Sequence, residues 1–477
     1  MDSAWIFQHS FIDGQWLKGE GEFAVTNPAD GSEIVRASRV SPSQVEQAIT
    51  SAQRAFKGLK TTTAEQRSEV LYRWYELIMK HQHSLAELMT LEQGKPLAES
   101  QGEVAYGAGF VKWFAEQAKR SYGEIIPASK PEHRISVIKQ GVGVVAGITP
   151  WNFPIAMITR KVAPAYAAGC SFVLKPSEHT PLCALALAHL AHQAGFPRGA
   201  FNVLLSDDAK AVGEQLTASE TVRKFTFTGS TQVGSQLLKQ CASTIKRTSM
   251  ELGGNAPLLV FASADLDKAA DGIIASKFRN AGQTCVCVNR VLADERIADK
   301  LLAKLQQRVA KLKVGPGTEE GVDIGPLIYP QAKTKVNELI DSALQEGATL
   351  VGERQSLEGN FVAPVLLSNV TSEMRISREE IFGPVLTVAT FKDEQQALQQ
   401  ANDTPYGLAA YFYSQDVAQI HRVAETLEYG MVGINEGLIS NPVAPFGGVK
   451  QSGLGREGGH QGLEEYLEEK YLCLNLD

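Results

Sequence analysis

GVGVVAGITP, residues 141–150, reads as a buried strand running into a loop: apolar, valine-rich and closed by Thr149 and Pro150. The pattern then repeats. A helical stretch near 154–168 leads to SFVLKP (171–176), and CALALAHLAHQAG (183–195) leads to FNVLL (201–205). After a short helix, VRKFTFTG (222–229) passes into the helix TQVGSQLLKQCA (231–242) and the β-rich TSMELGGNAPLLVF (248–261). Continuous apolar strands alternating with helices specify a doubly wound parallel sheet covered on both faces. The alternation resumes after Asp265 and runs to about Ser452, enough for a second α/β unit.

Toward the start, FIDGQW (11–16) has the form of a hairpin around Asp13–Gly14, and TNPADGSEIVRA (26–37) that of a turn entering a strand. SPSQVEQAITSAQRAFKGL (41–59) carries a Ser41 cap and Pro42 in the first turn of a helix. Three more helices are expected over about 63–81, 85–92 and 97–120. The tail EEYLEEKYLCLNLD (464–477) reads as a terminal strand, whose open edge needs a partner.

The 477 residues predict two to four domains, and 44% hydrophobic with 21% charged residues is ordinary for a globular chain with a large core. A net charge of −7 argues against a broad nucleic-acid surface. Six scattered cysteines make no disulfide framework, so a reducing, cytoplasmic setting is expected. The first residues lack a secretory pattern. The longest greasy run, 141–148, is too short and too glycine-rich to span a bilayer, so no membrane is expected as a partner.

Six segments concentrate glycine and proline around single polar residues: TPWNFP (149–154), KPSEHT (175–180), FTGSTQVG (227–234) with MELGG (250–254), NAGQTCVC (280–287), EEIFGP (379–384) and PFGGVKQSGLGRE (445–457). Cys285 is a candidate nucleophile because a thiolate is strongly nucleophilic near neutrality. The spacing of Gly229 and Gly234 between a strand and a helix is weak evidence for a dinucleotide on its own, since it lacks the usual G-x-G-x-x-G. Still, the helix N-terminus at Ser230 offers N–H groups to a pyrophosphate. His81 and His83 do not share a helix face. Cys285 and Cys287 lack a second pair at ligand spacing, so no metal is expected.

As an ordered set, these segments resemble the aldehyde dehydrogenase superfamily over nearly the whole chain. WNFPIAMITRK, GQTCVC and PFGGVKQSGLGREG resemble its succinate-semialdehyde dehydrogenase group, with glutarate-semialdehyde dehydrogenases as near neighbours. The resemblance implies an aldehyde dehydrogenase-like α/β fold. It comprises a Rossmann-type dinucleotide-binding domain (1–118 and 142–253), an α/β catalytic domain (254–453) and a small β oligomerisation arm (119–141 and 454–477).

It implies NAD as cofactor, with NADP possible, a homodimer or homotetramer, and a small semialdehyde substrate. The implied catalytic residues are Cys285 as nucleophile, Glu251 as general base and Asn152 as oxyanion donor. Trp151, Lys175, Glu178, Gly229, Ser230, Gly234, Leu252, Glu380 and Phe382 would hold the cofactor. Arg160, Arg279 and Ser440 would hold the substrate's distal carboxylate, for which paired guanidinium groups are the natural donors. A glutarate or plain aliphatic aldehyde is the alternative substrate. Intact Cys285, Glu251 and Asn152 speak against a non-catalytic scaffold, and Glu251 favours hydrolysis over transfer to a thiol such as CoA. The Cys285–Cys287 spacing also raises a strained, reversible disulfide as an expectation, against a Cys287 that only packs.

Overall fold

The computed structural model describes residues 5–477. Five parallel strands form the heart of the first sheet, in the spatial order Arg247–Glu251, Val222–Thr228, Val144–Ile148, Ser171–Lys175, Phe201–Val203. Among these five, the first in sequence is the middle one, Val144–Ile148; the next two build outward to Phe201–Val203, and the last two build the other half. Strand order therefore reverses between Val144–Ile148 and Val222–Thr228. A crevice opens at the carboxyl ends of such a pair, and ligands of open α/β sheets lie there. The loops leaving these two strands begin with Thr149–Asn152 and Gly229–Ser230.

The hairpin at Asp13–Gly14 forms as expected, with Asp13 and Gly14 both at positive φ (52° and 73°), and extends the sheet beyond Phe201–Val203. Helix Pro42–Leu59 starts with a reciprocal cap between Ser41 and Gln44, and helix Ala64–Lys80 with the same device between Thr63 and Gln66. The helix expected from 85 begins earlier, at Gln82, directly after His81 closes the preceding one. The helix expected from 154 begins at Ala156, because residues 151–155 form a tight turn held by other side chains.

A second, seven-stranded sheet runs Thr349–Val351, Val365–Ser368, Val385–Phe391, Val288–Asp294, Ala256–Val260, Ala409–Tyr413, Met431–Ile434. It is parallel apart from its first strand. Apolar side chains pack on both of its faces. Its last strand ends at Ile434. The chain then returns to the first sheet, where Gly453–Leu454 pairs antiparallel with Met250–Glu251. A Cβ at Gly453 would lie 2.0 Å from the Met250 carbonyl oxygen, so only glycine permits this approach.

Leu463, Tyr466 and Leu467 are buried in the core of the first body. Beyond them, Leu467–Asn475 pairs along its whole length with His133–Gly141, which also pairs with Glu124–Ile126. Ile125, Tyr471, Leu472 and Leu474 of this small sheet are exposed.

Candidate active site

The loop that carries Cys285 is held in a demanding conformation. Helix Leu266–Phe278 ends, and Asn280, Ala281 and Gly282 follow with φ of 51°, 54° and 74°. Glycine adopts such a backbone freely. Each non-glycine residue there stores of order 1–3 kcal/mol, which the surroundings must offset. The surroundings are a buried polar net. Asn280 N–H donates to Glu99 (2.8 Å), Gln93 Nε2 donates to Asn280 Oδ1 (2.9 Å), and Asn280 Nδ2 donates to the Asn152 carbonyl (2.9 Å). Gln283 accepts from Ile328 N–H (3.1 Å). At Gly282 an added Cβ would lie 2.2 Å from the Gly383 carbonyl oxygen.

The same net fixes the Trp151–Asn152 turn. Buried Lys95 donates to the Asn152 carbonyl (2.7 Å) and pairs with Glu103 (2.5 Å). The other Glu103 oxygen accepts from the Ile155 and Ala156 N–H groups, so a carboxylate closes the N-terminus of helix Ala156–Ala167. The Asn152 side chain donates from Nδ2 to the Gln283 carbonyl (3.0 Å), which ties it to the Cys285 loop.

Burial alters the proton affinity of Cys285, Glu251 and Glu380. Burial pushes the Cys285 thiol up to about 12, with the Arg160 charge opposing it. At neutral pH the resting thiol therefore keeps its proton until a base or an added charge removes it. Glu251, at the end of strand Arg247–Glu251, is buried with both carboxylate oxygens unpartnered. Burial and then the neighbouring Glu457 charge raise its proton affinity well above the ordinary carboxylate value, against Arg160, Lys161 and Arg456. Burial likewise pushes Glu380 up to about 7.

On one side of Cys285 lies a cavity of about 430 Å³. Trp151, Asn152, Gly229, Ser230, Leu252, Cys285, Glu380 and Phe382 line it together, although they come from both sheets. It also opens onto Tyr329, Gln331, Ala332 and Lys335 of the second body, residues to which no sequence signal pointed. Trp151 and Phe382 meet edge to face at 5.7 Å, and Phe382 holds a positive φ of 55°. Gly229 is required where it stands, since a Cβ there would lie 2.4 Å from the Phe227 ring.

Ser230, in the cavity lining, caps helix Thr231–Cys241 and accepts from Val233 N–H. Glu380 accepts from Gly254 N–H through Oε1 (3.1 Å), which leaves Oε2 for a hydroxyl. A side-chain-free turn, a helix N-terminus and a half-engaged carboxylate suit the phosphates and ribose of a dinucleotide.

Lys175, Glu178 and Gly234 lie outside the cavity lining. Lys175 and Glu178 pair at 3.0 Å, the lysine buried and the glutamate side chain 34% exposed. Gly234 acts indirectly: a Cβ there would lie 2.4 Å from Leu252 Cδ2, and Leu252 is a cavity wall.

Arg160, Arg279 and Ser440 form a second group. Arg160 is 1% exposed, ion-paired through Nε to Glu457 and stacked 4.5 Å over Phe446, with Nη2 left unpartnered. Glu457 also pairs with buried Lys161. Arg279 lies 4.7 Å over Phe153. Tyr106 joins the three: its phenol feels the charges of Arg160 and Arg279 and lies near Ser440.

The aldehyde dehydrogenase family model matches residues 16–472. The chain belongs to the aldehyde dehydrogenase family. It is 53% identical to the NADP(+)-dependent succinate-semialdehyde dehydrogenase GabD of Escherichia coli K12, covering 100% of this chain and 99% of the relative. It is 51% identical to the glutarate-semialdehyde dehydrogenase of Pseudomonas putida KT2440, covering 100% and 99%. An aldehyde dehydrogenase crystal structure from Brucella melitensis biovar abortus 2308 superposes with a TM-score of 0.98 at 51% identity, covering 100% and 99%. This aldehyde dehydrogenase has the fold expected from its motifs, and its cofactor is NAD(P).

In the charged group, two features escaped the sequence. Glu457 sits in a glycine-rich stretch that reads as a plain loop, yet it is the counter-charge to Arg160 and Lys161. Tyr106 lies on a helix where an aromatic reads as core. Cys285 and Cys287 are separate free thiols. Cys287 is buried and donates from Sγ to the Gly282 carbonyl (3.3 Å), which fits packing.

Proposed function

We propose that this aldehyde dehydrogenase oxidises an ω-carboxylated aldehyde, succinate semialdehyde foremost, to the dicarboxylate. The observation that carries this reading is Arg160: a buried guanidinium with Nη2 unpartnered, close to Arg279, Ser440 and Cys285. A buried donor without an acceptor is destabilising, and a carboxylate ligand would relieve it. Plain aliphatic aldehydes give no reason to bury Arg160 with Arg279 close by. The semialdehyde names of the Escherichia coli and Pseudomonas putida KT2440 relatives agree with the site chemistry.

In the reaction, Cys285 attacks the aldehyde carbon, its proton passing through Glu251 to solvent, which leaves the Glu251 carboxylate free again. Asn152 Nδ2 and the Cys285 N–H steady the oxyanion. A nicotinamide held in the cavity by Trp151, Glu380 and Phe382 would supply the hydride acceptor, so that the adduct on Cys285 becomes a thioester. Glu251 then removes a proton from water, which hydrolyses the thioester and frees the thiol.

Residues 1–118 and 142–253 serve as the dinucleotide-binding domain, and 254–453 as the catalytic domain. The region 119–141 with 454–477 serves as the oligomerisation region, whose exposed apolar strands suit a second copy in a dimer or tetramer. Six free thiols suit the reducing cytoplasm. Among the described residues, no helix is long and apolar enough to cross a membrane. Steady-state kinetics with succinate semialdehyde, glutarate semialdehyde and an uncharged aldehyde of equal length test the reading. The charged substrates should lead in kcat/KM by tenfold or more, and equal values would remove the carboxylate pocket.

A further inference from the structure

Tyr329 joins the two halves of the cleft. It stands immediately before helix Pro330–Gln345 of the second body and lines the cavity beside Trp151 and Phe382. Its ring lies 5.3 Å from the His179 imidazole, tilted by 32°, and 6.2 Å from Trp151, edge to face. His179 and Trp151 belong to the loops that leave two neighbouring parallel strands of the first sheet, Ser171–Lys175 and Val144–Ile148. One side chain of the second body thus touches both loops at the carboxyl ends of the first body's strands.

The position is unusual for a tyrosine. It is the N-cap of a 16-residue helix, a place that favours Ser, Thr, Asp or Asn, and the tyrosine makes no capping hydrogen bond. The residue gives the helix nothing and faces the cleft. Burial and the nearby Glu178 carboxylate raise the proton affinity of its phenol, so the ring borders the loop that carries Glu178 as well.

We propose that Tyr329 is a positioning residue that clasps the coenzyme cleft through His179 and Trp151 and so sets how fast the bound dinucleotide leaves. The inference rests on the seating of the coenzyme in this cavity. A ligand held between two bodies leaves when the elements over it part, and aromatic contacts across the gap oppose that parting. The ring supplies those contacts, and the hydroxyl does not.

Stopped-flow displacement of NADH, followed by its fluorescence, tests this without turnover. Tyr329→Ala should raise the NADH dissociation rate about fivefold, the factor expected from one aromatic pair. Tyr329→Phe should stay near the parent rate. His179→Ala should raise the rate by itself yet add little in the Tyr329→Ala background, since the two rings share one contact.

Ser230→Asp is the control for seating. Aspartate keeps the helix cap but sets a carboxylate against the pyrophosphate, so NADH binding should be lost while the fold is kept. If Ser230→Asp abolishes binding while Tyr329→Ala and His179→Ala leave the rate unchanged, the clasp is overturned and the seating stands. If the Tyr329 and His179 effects multiply, the two rings act independently and the clasp also fails. If Ser230→Asp binds NADH normally, the seating falls and the clasp with it.

Discussion

On the proposed coenzyme side of Cys285 the decisive parts are backbone. Gly229 and Gly253 bring bare chain to the cavity, Ser230 opens a helix end, and one Glu380 oxygen is anchored on a backbone N–H. On the other side the parts are charges: Arg160, Lys161 and Glu457 in one buried cluster, with Arg279, Tyr106 and Ser440 beside it. Backbone sites bind through groups that every residue carries, so single side chains matter moderately there. A buried charge cluster is coupled, and removing one member strands the others. Cys285 lies between the two, and its neighbours draw on both.

The largest effect tests whether Cys285 is that junction. Cys285→Ala should lower aldehyde oxidation by about a thousandfold or more, because no other group can form the thioester. NADH binding should hardly change, since the coenzyme wall does not depend on the thiol. Oxidation persisting above background would break the assignment, and lost NADH binding would show that the two sides are not separable.

Glu251→Gln comes next, at about a hundredfold or more in steady-state turnover, the usual scale for a general base. A pre-steady-state burst of NADH should survive if Glu251 acts mainly on water, and vanish if it acts mainly on Cys285. The pH dependence has a definite sign. Burial and Glu457 raise the proton affinity of Glu251, so the carboxylate that accepts the proton from water becomes populated only as pH rises above the ordinary carboxylate range. Parent kcat should therefore climb with pH through that raised region, and the Gln variant should lose the climb. A parent profile that falls with rising pH there would assign the base elsewhere.

These two sides were unequally legible in the sequence. The first sheet could be read because its strands are continuous apolar runs, and GVGVVAGITP and VRKFTFTG straddle the reversal of strand order that makes the crevice. Cys285, Asn152 and Glu380 announce themselves through flanking glycine and proline. The charge cluster could be read only halfway. Arg160 and Arg279 stand out as arginines, but their meaning depends on Glu457, almost 300 residues beyond Arg160, and on Tyr106 from an early helix. Nothing local marks such partners, because a buried ion pair is made by tertiary packing.

The strain at Asn280 and Ala281 was hidden for the same reason. Neither residue type requires a positive φ, and Glu99, Gln93 and Asn152 impose it from outside. The Tyr329 contact likewise arises between two bodies and leaves no periodic trace.

The two arginines should sharpen the comparison on the substrate side. Arg279→Ala should reduce kcat/KM for a semialdehyde acid by tenfold or more, as one charge-assisted hydrogen bond of about 1.5–3 kcal/mol predicts, and much less for an uncharged aldehyde. Arg160→Ala should behave differently. It removes a carboxylate donor and also strands Glu457 beside Glu251, so both substrate types should lose and the pH profile of Glu251 should move to higher pH. Arg279→Lys should restore part of the loss, since it keeps the charge without the planar fork. If Arg160→Ala discriminates between substrates as cleanly as Arg279→Ala, the cluster is less coupled than its burial implies.

The smallest effect belongs to the coenzyme side, at Glu178. Burial works to raise its proton affinity, but Lys175 at 3.0 Å holds it below the ordinary carboxylate value, so it is charged at neutral pH. Under the proposed seating of the coenzyme, a charged carboxylate at Glu178 would accept hydrogen bonds from the ribose hydroxyls and repel a 2′-phosphate, which would favour NAD over NADP. Two facts limit the preference. The side chain is 34% exposed, so solvent screens the repulsion, and Lys175 offsets much of the charge. The GabD relative is named for NADP(+), so the shared scaffold accommodates the phosphate in that protein. Glu178→Gln should therefore improve kcat/KM with NADP by only a few-fold, on the order of 1 kcal/mol, and weaken NAD by less. The gain should shrink further at high salt, which screens an exposed charge and leaves hydrogen bonds largely intact. A gain that ignores salt would mean that Glu178 excludes the phosphate by shape, which would make the coenzyme wall depend on side chains after all.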